Sequence, residues 1–427
     1  MKLKISTRDL KIGMYVYELD RPWRETPFLF QGFEVRTEKD LQTLRQYCRD
    51  VFILQDPFAA TSTPSVARRD GRSVAVEPVK GAAEIQFQQQ LLKINNHPTA
   101  RSIYEDKTTI EQEIELVAPV YREVRSRVEH IFEDVRLGRS VDDTVARRSV
   151  SQLADSVLRN PDALTCYALL KRKDDYSALH GLRCCILTLI FGRQLGMARE
   201  QLEILGMAGL LHDIGMIKVP DEILNKPTPL TPVEMSIVRR HVNWGGDMLD
   251  VSHGMPPAVI EAARRHHENY DGTGYMNGLR GDSIGDAGLI TAIVDYYDAV
   301  TSDRIYHLAA SPYAAMHAMY EGRGTRFHPE LIESFIQCLG IYPVGSVVAL
   351  NTGEIGVVVA LNRATRLRPR VALVRQPDKT LYPLPPVINL VTRRTIDGEL
   401  CEIERILDPR AAEIDPVRYL PVSAAAI

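Results

Sequence analysis

No stretch of this sequence stays apolar for the roughly 20 residues that a membrane-crossing helix needs, so no membrane span is expected. The first ten residues carry Lys2 and Lys4 but no apolar core, which argues against a secretory leader. Cysteine is sparse. Cys48, Cys166, Cys184, Cys185, Cys338 and Cys401 make no Cys-x-x-Cys pair, so neither a zinc ribbon nor a disulfide framework is indicated. A reducing cytoplasm is the expected compartment. Excess charge of one sign is also missing. The formal net charge of −3 gives no global attraction to nucleic acid. What remains is an ordinary globular composition, 45% hydrophobic and 25% charged. Its 427 residues leave room for about two to four domains.

Residues 1–56 alternate apolar and polar in short bursts, as in Leu3, Ile5, Met14 to Tyr17, Phe28 to Phe30 and Val51 to Leu54. Thr37 opens a short helix to Cys48 as its N-cap. This is a small α/β unit without evident catalytic residues, read as regulatory. Residues 57–80 are rich in Pro, Ser, Thr and Ala around Arg68, Arg69 and Arg72, and read as a linker. Residues 81–140 read as a helical connector. Ile110, Ile114, Val117, Val120, Val124, Val128, Ile131 and Val135 form a narrow stripe that only Pro119 interrupts. Such a stripe suits a homodimer or packing on its own domain, and both stay open.

Helical periods dominate residues 141–342. Asp142 and Asp143 can cap one helix; the next, around His180, is apolar on nearly all sides. Thr231-Pro232-Val233-Glu234 has the form of a capping box for a helix expected to carry His241. Past residue 343 the pattern turns to strands: Val347–Leu350 and Ile355–Ala360 around a Gly turn, then Arg370–Val374, then Pro383–Val391. Arg363, Arg366, Arg368 and Arg370 read as a solvated basic loop. The fold class is therefore mainly α, a helical bundle with a small α/β N-terminal domain and a small β-rich appendage at 343–427.

The chemistry sits in the helical region. His212 and Asp213 are adjacent at the end of an apolar run, and neighbours about 100° apart on a helix can both reach an ion lying against it. His180, His241, His266 and His267 lie at or near other apolar helices, as does Asp295. Imidazole and carboxylate together suit a first-row metal such as iron, manganese or zinc. Seven candidate ligands are too many for one ion, and two ions sharing a carboxylate is the economical solution. Two such ions bind a bridging water, lower its pKa and clamp an in-line displacement at phosphorus.

The motifs His212-Asp213-Ile214-Gly215, His241, His266-His267-Glu268 with Asp271-Gly272-Thr273-Gly274-Tyr275, and Asp295 to Arg304 resemble the HD-GYP subgroup of HD-domain phosphohydrolases. The resemblance covers roughly residues 145 to 340. It implies an HD-type helical bundle that hydrolyses cyclic di-GMP to pGpG, and often on to GMP. It implies one divalent ion on His180, His212, Asp213 and Asp295, and a second on Asp213, His241, His266 and His267, Asp213 bridging. Iron or manganese is the expected metal, with zinc, nickel or magnesium as alternatives. Arg304 matches a phosphate-contacting arginine, and Asp271, Gly274 and Tyr275 match the naming loop. Residues 1–56 resemble the small domain of unknown function that often precedes HD-GYP domains in proteobacteria.

The sequence departs from that pattern in its substrate-facing positions. Met216 stands where the family usually has a lysine, and Lys218, two residues on, is the replacement cation and catalytic candidate. Met276 replaces the naming proline, Asn269 an arginine and His307 a basic residue. Tyr176 stands where a third-metal glutamate occurs, which favours two metals. Three functions follow from this: a cyclic di-GMP phosphodiesterase, a weak relative that signals by binding the dinucleotide or a GGDEF-domain diguanylate cyclase, and a hydrolase of a mixed cyclic dinucleotide.

Overall fold

The computed structural model describes residues 2–12, 14–21, 33–35, 38–54, 87, 90, 91, 94, 104–170, 176–226, 228–302 and 309–422. The expected linker at 57–80, the Thr37 cap, the Phe28 to Phe30 burst, Arg304 and His307 lie outside the described residues. So does the Tyr176 side chain. The chain divides into two compact units, Met1–Gln89 with Pro220–Val238, and Gln90–Val219 with Arg239–Ile427.

The first unit holds an antiparallel sheet in the order β1-β4-β2-β3: β1 Lys2–Ser6, β2 Tyr15–Leu19, β3 Phe33–Glu34 and β4 Asp50–Leu54. Alternation sets one apolar face inward. Val16, Leu19, Val51 and Ile53 bury against Leu41 and Leu44 of helix α1, Glu38–Tyr47.

The second unit is mainly helical. Helix α2, Ile110–Arg136, starts at a capping box in which Thr109 and Gln112 satisfy each other's backbone N–H at 3.3 and 3.0 Å. It runs unbroken through Pro119. Residues 104–109 are not helical, so the connector is not one continuous helix. The apolar stripe of α2 packs within its own chain. Val117, Val124, Val128, Ile131 and Val135 are buried in the main core with α3, Asp143–Arg159, and α4, Pro161–Ala168. Asp142 caps α3 by accepting from Thr144 and Val145 N–H.

Helix α5, Tyr176–Gln194, is buried on every side from Leu179 to Phe191, as an all-round apolar helix must be. It packs along α6, Arg199–Leu211. A 3₁₀ turn, Ile214–Lys218, follows α6. Helices α7, Asp221–Leu224, and α8, Pro232–Arg239, come next in the chain and, up to Val238, belong to the first unit. The Thr231–Glu234 capping box is present, with Thr231 N–H donating to Glu234 at 2.7 Å. It does not carry His241, however. The helix stops at Arg239, and His241 opens a separate helix α9, His241–Asp250. A capping box marks where a helix starts and carries no information about where it ends. Helix α10, Pro257–Arg265, and helix α11, Asp286–Val300, complete the walls of the site. Helices α12, Pro312–Glu321, and α13, Pro329–Leu339, lie beyond them in the chain.

The appendage is a five-stranded antiparallel sheet in the order β8-β7-β6-β5-β9. Its strands are β5 Val347–Leu350, β6 Ile355–Ala360, β7 Arg370–Arg375, β8 Val387–Asn389 and β9 Ile403–Leu407. The hairpin and β7 follow the sequence pattern, whereas β8 takes up only Val387–Asn389 of the strand expected over Pro383–Val391, because Pro383, Pro385 and Pro386 have no N–H to give a ladder. Strand β9 does not, because it is only partly buried and its apolar alternation is weak. The four loop arginines are not merely solvated. Arg363 pairs with Asp106 at 2.7 Å, and also with Asp162. Arg368 pairs with Glu402 and Arg370 with Glu111, at 2.7 and 2.6 Å. Arg366 donates to the Gln337 carbonyl. The partners lie far away in the chain, so local composition could not reveal them.

Candidate metal centre

Two close approaches bring the motif residues together. Gly215, in the 3₁₀ turn, lies so near the His241 carbonyl that a Cβ would overlap it. That absence of a side chain lets Asp213 and His241 share one pocket. Gly274 lies equally close to the backbone of His267, Glu268 and Asn269, which folds the Asp271–Tyr275 loop back over the second histidine pair.

Three of the imidazoles are fixed from behind. His212, capping α6, donates from Nδ1 to the Gly209 carbonyl at 2.9 Å. His266, capping α10, puts Nδ1 3.1 Å from the Ala262 and Ala263 carbonyls. Both rings therefore turn Nε2 inward. His180 donates from Nδ1 to Asp298 Oδ2 at 2.8 Å, and Arg183 grips the same carboxylate from Nε and Nη2 at 2.9 Å each. The inward nitrogens surround Asp213, which caps the 3₁₀ turn. Asp213 Oδ1 lies 3.1 Å from His241 Nε2 and 3.4 Å from His266 Nε2. Its Oδ2 lies 3.8 Å from Nε2 of both His180 and His212. Asp295 Oδ1 lies 3.1 Å from His180 Nε2 and 3.7 Å from His212 Nε2. His267 packs edge-on to His241 at 5.0 Å and carries the stacked Tyr275 ring at 4.8 Å.

All seven sequence-derived ligand candidates are thus together. They form two groups, one with His180, His212 and Asp295, the other with Asp213, His241, His266 and His267. Cys184 falls within reach of the first group. Its Sγ is 3.8 Å from both ring nitrogens of His180, so it sits against the imidazole rather than beside the Nε2 lone pair. Burial also holds the thiol well above its ordinary pKa, which opposes the thiolate a metal needs.

The buried carboxylates need balancing charge, which protonated imidazoles or bound cations can supply. Asp213, Asp295 and Asp298 face one guanidinium, Arg183, in a pocket largely closed to water. Burial would raise Asp213 and Asp295, but the facing imidazoles outweigh it and hold both well below the carboxylate range. Burial would lower His212, yet Asp213 and Asp295 push it up to about 9. His180 is raised the same way, by Asp295 and Asp298 against the effect of burial. His266 and His267 are lowered, by burial first and then by neighbouring imidazoles. His212 Nε2 and Asp213 Oδ1 are buried and make no hydrogen bond. Inward imidazole nitrogens and unsatisfied carboxylate oxygens are the donor set that a borderline divalent ion accepts, so the residues fit such ions.

The remaining predicted site residues are placed less uniformly. Tyr275 stacks on His267, and the Arg239 guanidinium lies 5.1 Å from the centroid of the same ring. Asp271 Oδ1 accepts from Thr273 N–H and hydroxyl at 2.9 and 2.6 Å, so its carboxylate holds the loop's own turn. Lys218 is exposed at the end of the 3₁₀ turn and belongs to neither ligand group. In that turn residues three apart eclipse, which puts Met216 on the Asp213 face and Lys218 two-thirds of a turn away.

Sequence reasoning assigned no role to Asp298, Arg183 or Glu268. Buried Glu268 accepts from Asn277 and Leu279 N–H at 2.7 and 3.1 Å and anchors the loop. The signal for the other two was present: Asp298 follows Asp295, and Arg183 follows His180, by the three residues that share a helix face.

Comparison with known proteins gives three family matches: an HD domain at residues 165–331, a domain of unknown function (DUF3391) at 2–144, and a KOW domain associated with HD domain at 347–410. The chain is 35% identical over 373 residues to cyclic di-GMP phosphodiesterase PA4108 of Pseudomonas aeruginosa, covering 87% of this chain and 84% of that protein. It is 32% identical over 230 residues to the cyclic di-GMP phosphodiesterase response regulator RpfG of Xanthomonas campestris pv. campestris, covering 52% and 60%. It is 35% identical over 143 residues to 3'3'-cGAMP-specific phosphodiesterase 2 of Vibrio cholerae, covering 33% and 27%.

Proposed function

We propose that this chain, which belongs to the HD-GYP family of HD-domain phosphodiesterases, hydrolyses cyclic di-GMP to pGpG on a pair of divalent cations, with GMP as the product of a second cleavage. The observation that carries this reading is the split of Asp213, whose Oδ1 faces His241 and His266 while Oδ2 faces His180 and His212. One carboxylate facing two imidazole groups is what a shared ligand between two ions requires. His180, His212, Asp213 and Asp295 would hold one ion, and Asp213, His241, His266 and His267 the other. Iron or manganese suits this N/O donor set, with zinc, nickel and magnesium as the competitors.

Such ions, when bound, supply an activated water near neutral pH and neutralise charge at phosphorus. The chain's own part is to hold the donors still. The Asp298–Arg183 pair orients His180, and backbone carbonyls fix the tautomers of His212 and His266. The Tyr275 ring shields His267 from solvent, and Glu268 keeps the loop bearing that ring folded down. Lys218 and Arg304 are the cations proposed to meet the substrate phosphate, with Gly274 and Asp271 shaping the loop beside it.

A second reading is a weak enzyme that binds the dinucleotide, or a GGDEF-domain diguanylate cyclase, and signals by contact. Met216 favours it, because a thioether takes the place on the Asp213 face where the family's lysine would stand. The deciding experiment purifies the protein without oxygen, counts its metals, supplies Mn(II) or Fe(II), and follows cyclic di-GMP by chromatography, with 3'3'-cGAMP in parallel. Accumulating pGpG supports the hydrolase. Intact dinucleotide that stays bound to a metal-loaded protein refutes it in favour of the binding protein.

A further inference from the structure

Arg239, the last residue of α8, is a cation without an acidic partner among the described residues. Its Nε is buried and makes no hydrogen bond. Its guanidinium lies 5.1 Å over the Tyr275 ring, and that ring stacks on His267 at 4.8 Å and 27°. The Tyr275 ring thus meets a metal-facing imidazole and a guanidinium at once. Arg240, beside it in sequence, is exposed and lies over the Trp244 ring instead, 4.9 Å from its centroid. A sheltered guanidinium N–H left without an acceptor is costly, and its planar fork matches a phosphate diester.

We infer that Arg239 binds the phosphate of the cyclic dinucleotide that is not being cleaved. The inference rests on the phosphodiesterase reading above. Arg239 reaches the Tyr275 ring and not the ligand groups themselves, so it stands clear of a phosphorus held against the Asp213 cluster. A cyclic dinucleotide carries a second diester on the opposite side of its ring, and a cation beside the ligand groups is placed to meet it. The same cation compensates for the lysine that this chain lacks at Met216. It would act on substrate affinity and leave the activation of water to the metal-binding residues.

The test compares two substrates of one metal-loaded protein: cyclic di-GMP, and bis(p-nitrophenyl) phosphate, which has a single phosphate. Arg239→Met keeps the aliphatic stem on Tyr275 and removes the charge; Arg239→Lys restores a charge without the fork. For Arg239→Met the KM for cyclic di-GMP rises roughly 10- to 100-fold, the size of one lost charge-assisted contact. The loss on bis(p-nitrophenyl) phosphate is at least about tenfold smaller, the metal count stays at the wild-type value, and Arg239→Lys recovers part of the affinity. Equal losses on both substrates, or a fall in metal content, show that Arg239 only props Tyr275 and overturn the inference alone. A wild-type protein that loads metal and cleaves bis(p-nitrophenyl) phosphate but ignores cyclic di-GMP overturns the substrate reading and this inference together.

Discussion

His180 Nδ1 donates to Asp298 Oδ2 across 2.8 Å, and both side chains are buried. The pair leaves His180 Nε2 directed toward Asp295 and Asp213. Asp298→Asn keeps the shape but removes the charge that holds both the imidazole and Arg183. Metal affinity of the His180 group is expected to fall about 10- to 100-fold. Arg183 is left as a buried, uncompensated cation, which destabilises the fold by about 3 kcal/mol. Metal titration with a chromophoric chelator and thermal unfolding measure the two effects separately. Wild-type metal affinity in this variant removes the positioning role.

Metal loading depends on pH with a definite sign. His212, raised to about 9, holds its proton in the metal-free protein at neutral pH, and His180 is shifted in the same direction. An entering cation must displace that proton, so apparent affinity climbs from pH 6 to about 9 and then levels off. Stability of the metal-free protein runs the other way on the alkaline side. A raised histidine contributes fully below its unfolded value of about 6.5 and loses that contribution as pH rises through its folded value. Asp213 and Asp295, held low, contribute above the usual carboxylate range and lose their share only in acid. Melting temperatures of metal-free protein across pH 5 to 10, set beside chelator competition, check both slopes. An affinity independent of pH contradicts the assigned protonation.

Met216 occupies the Asp213 face of the 3₁₀ turn, and Lys218 does not. Met216→Lys is expected to raise kcat/KM for cyclic di-GMP by less than about tenfold if the native protein is already an active hydrolase. A rise of about a hundredfold or more identifies the native chain as a weak catalyst that mainly binds. Single-turnover rates at saturating metal distinguish these results from a change in metal affinity.

Gly215→Ala places a methyl against the His241 carbonyl. The turn must move away from α9, at a cost of about 1–3 kcal/mol. Asp213 and His241 separate with it, so metal content falls along with melting temperature. A variant that loses stability yet binds two ions normally shows that the close approach serves only packing.

Much of the site was legible because its chemistry is carried by residue types that are rare at the ends of apolar helices. His180, His212, His241, His266, His267, Asp213 and Asp295 all stand out in that setting, and all seven converge. The stripe from Ile110 to Val135 was equally plain as a pattern, but not its destination. A periodic apolar face states that it must be covered, not by what, and here α3 and α4 cover part of it within the chain. The arginines at 363, 366, 368 and 370 show the same limit. Their charge is local, whereas the acids they meet, such as Asp106, Asp162 and Glu111, lie hundreds of residues earlier.

Sequence by itself determined which donors exist and the helical character of the segments that carry them. It could do so because periodicity, caps and donor chemistry are properties of short stretches. Only the tertiary structure decided that Asp213 divides its two oxygens between two histidine groups, that Asp298 and Arg183 stand behind His180, and that Arg239 lies over Tyr275. Those relations depend on how closely separate helices approach one another, and packing sets that distance across residues far apart in the chain.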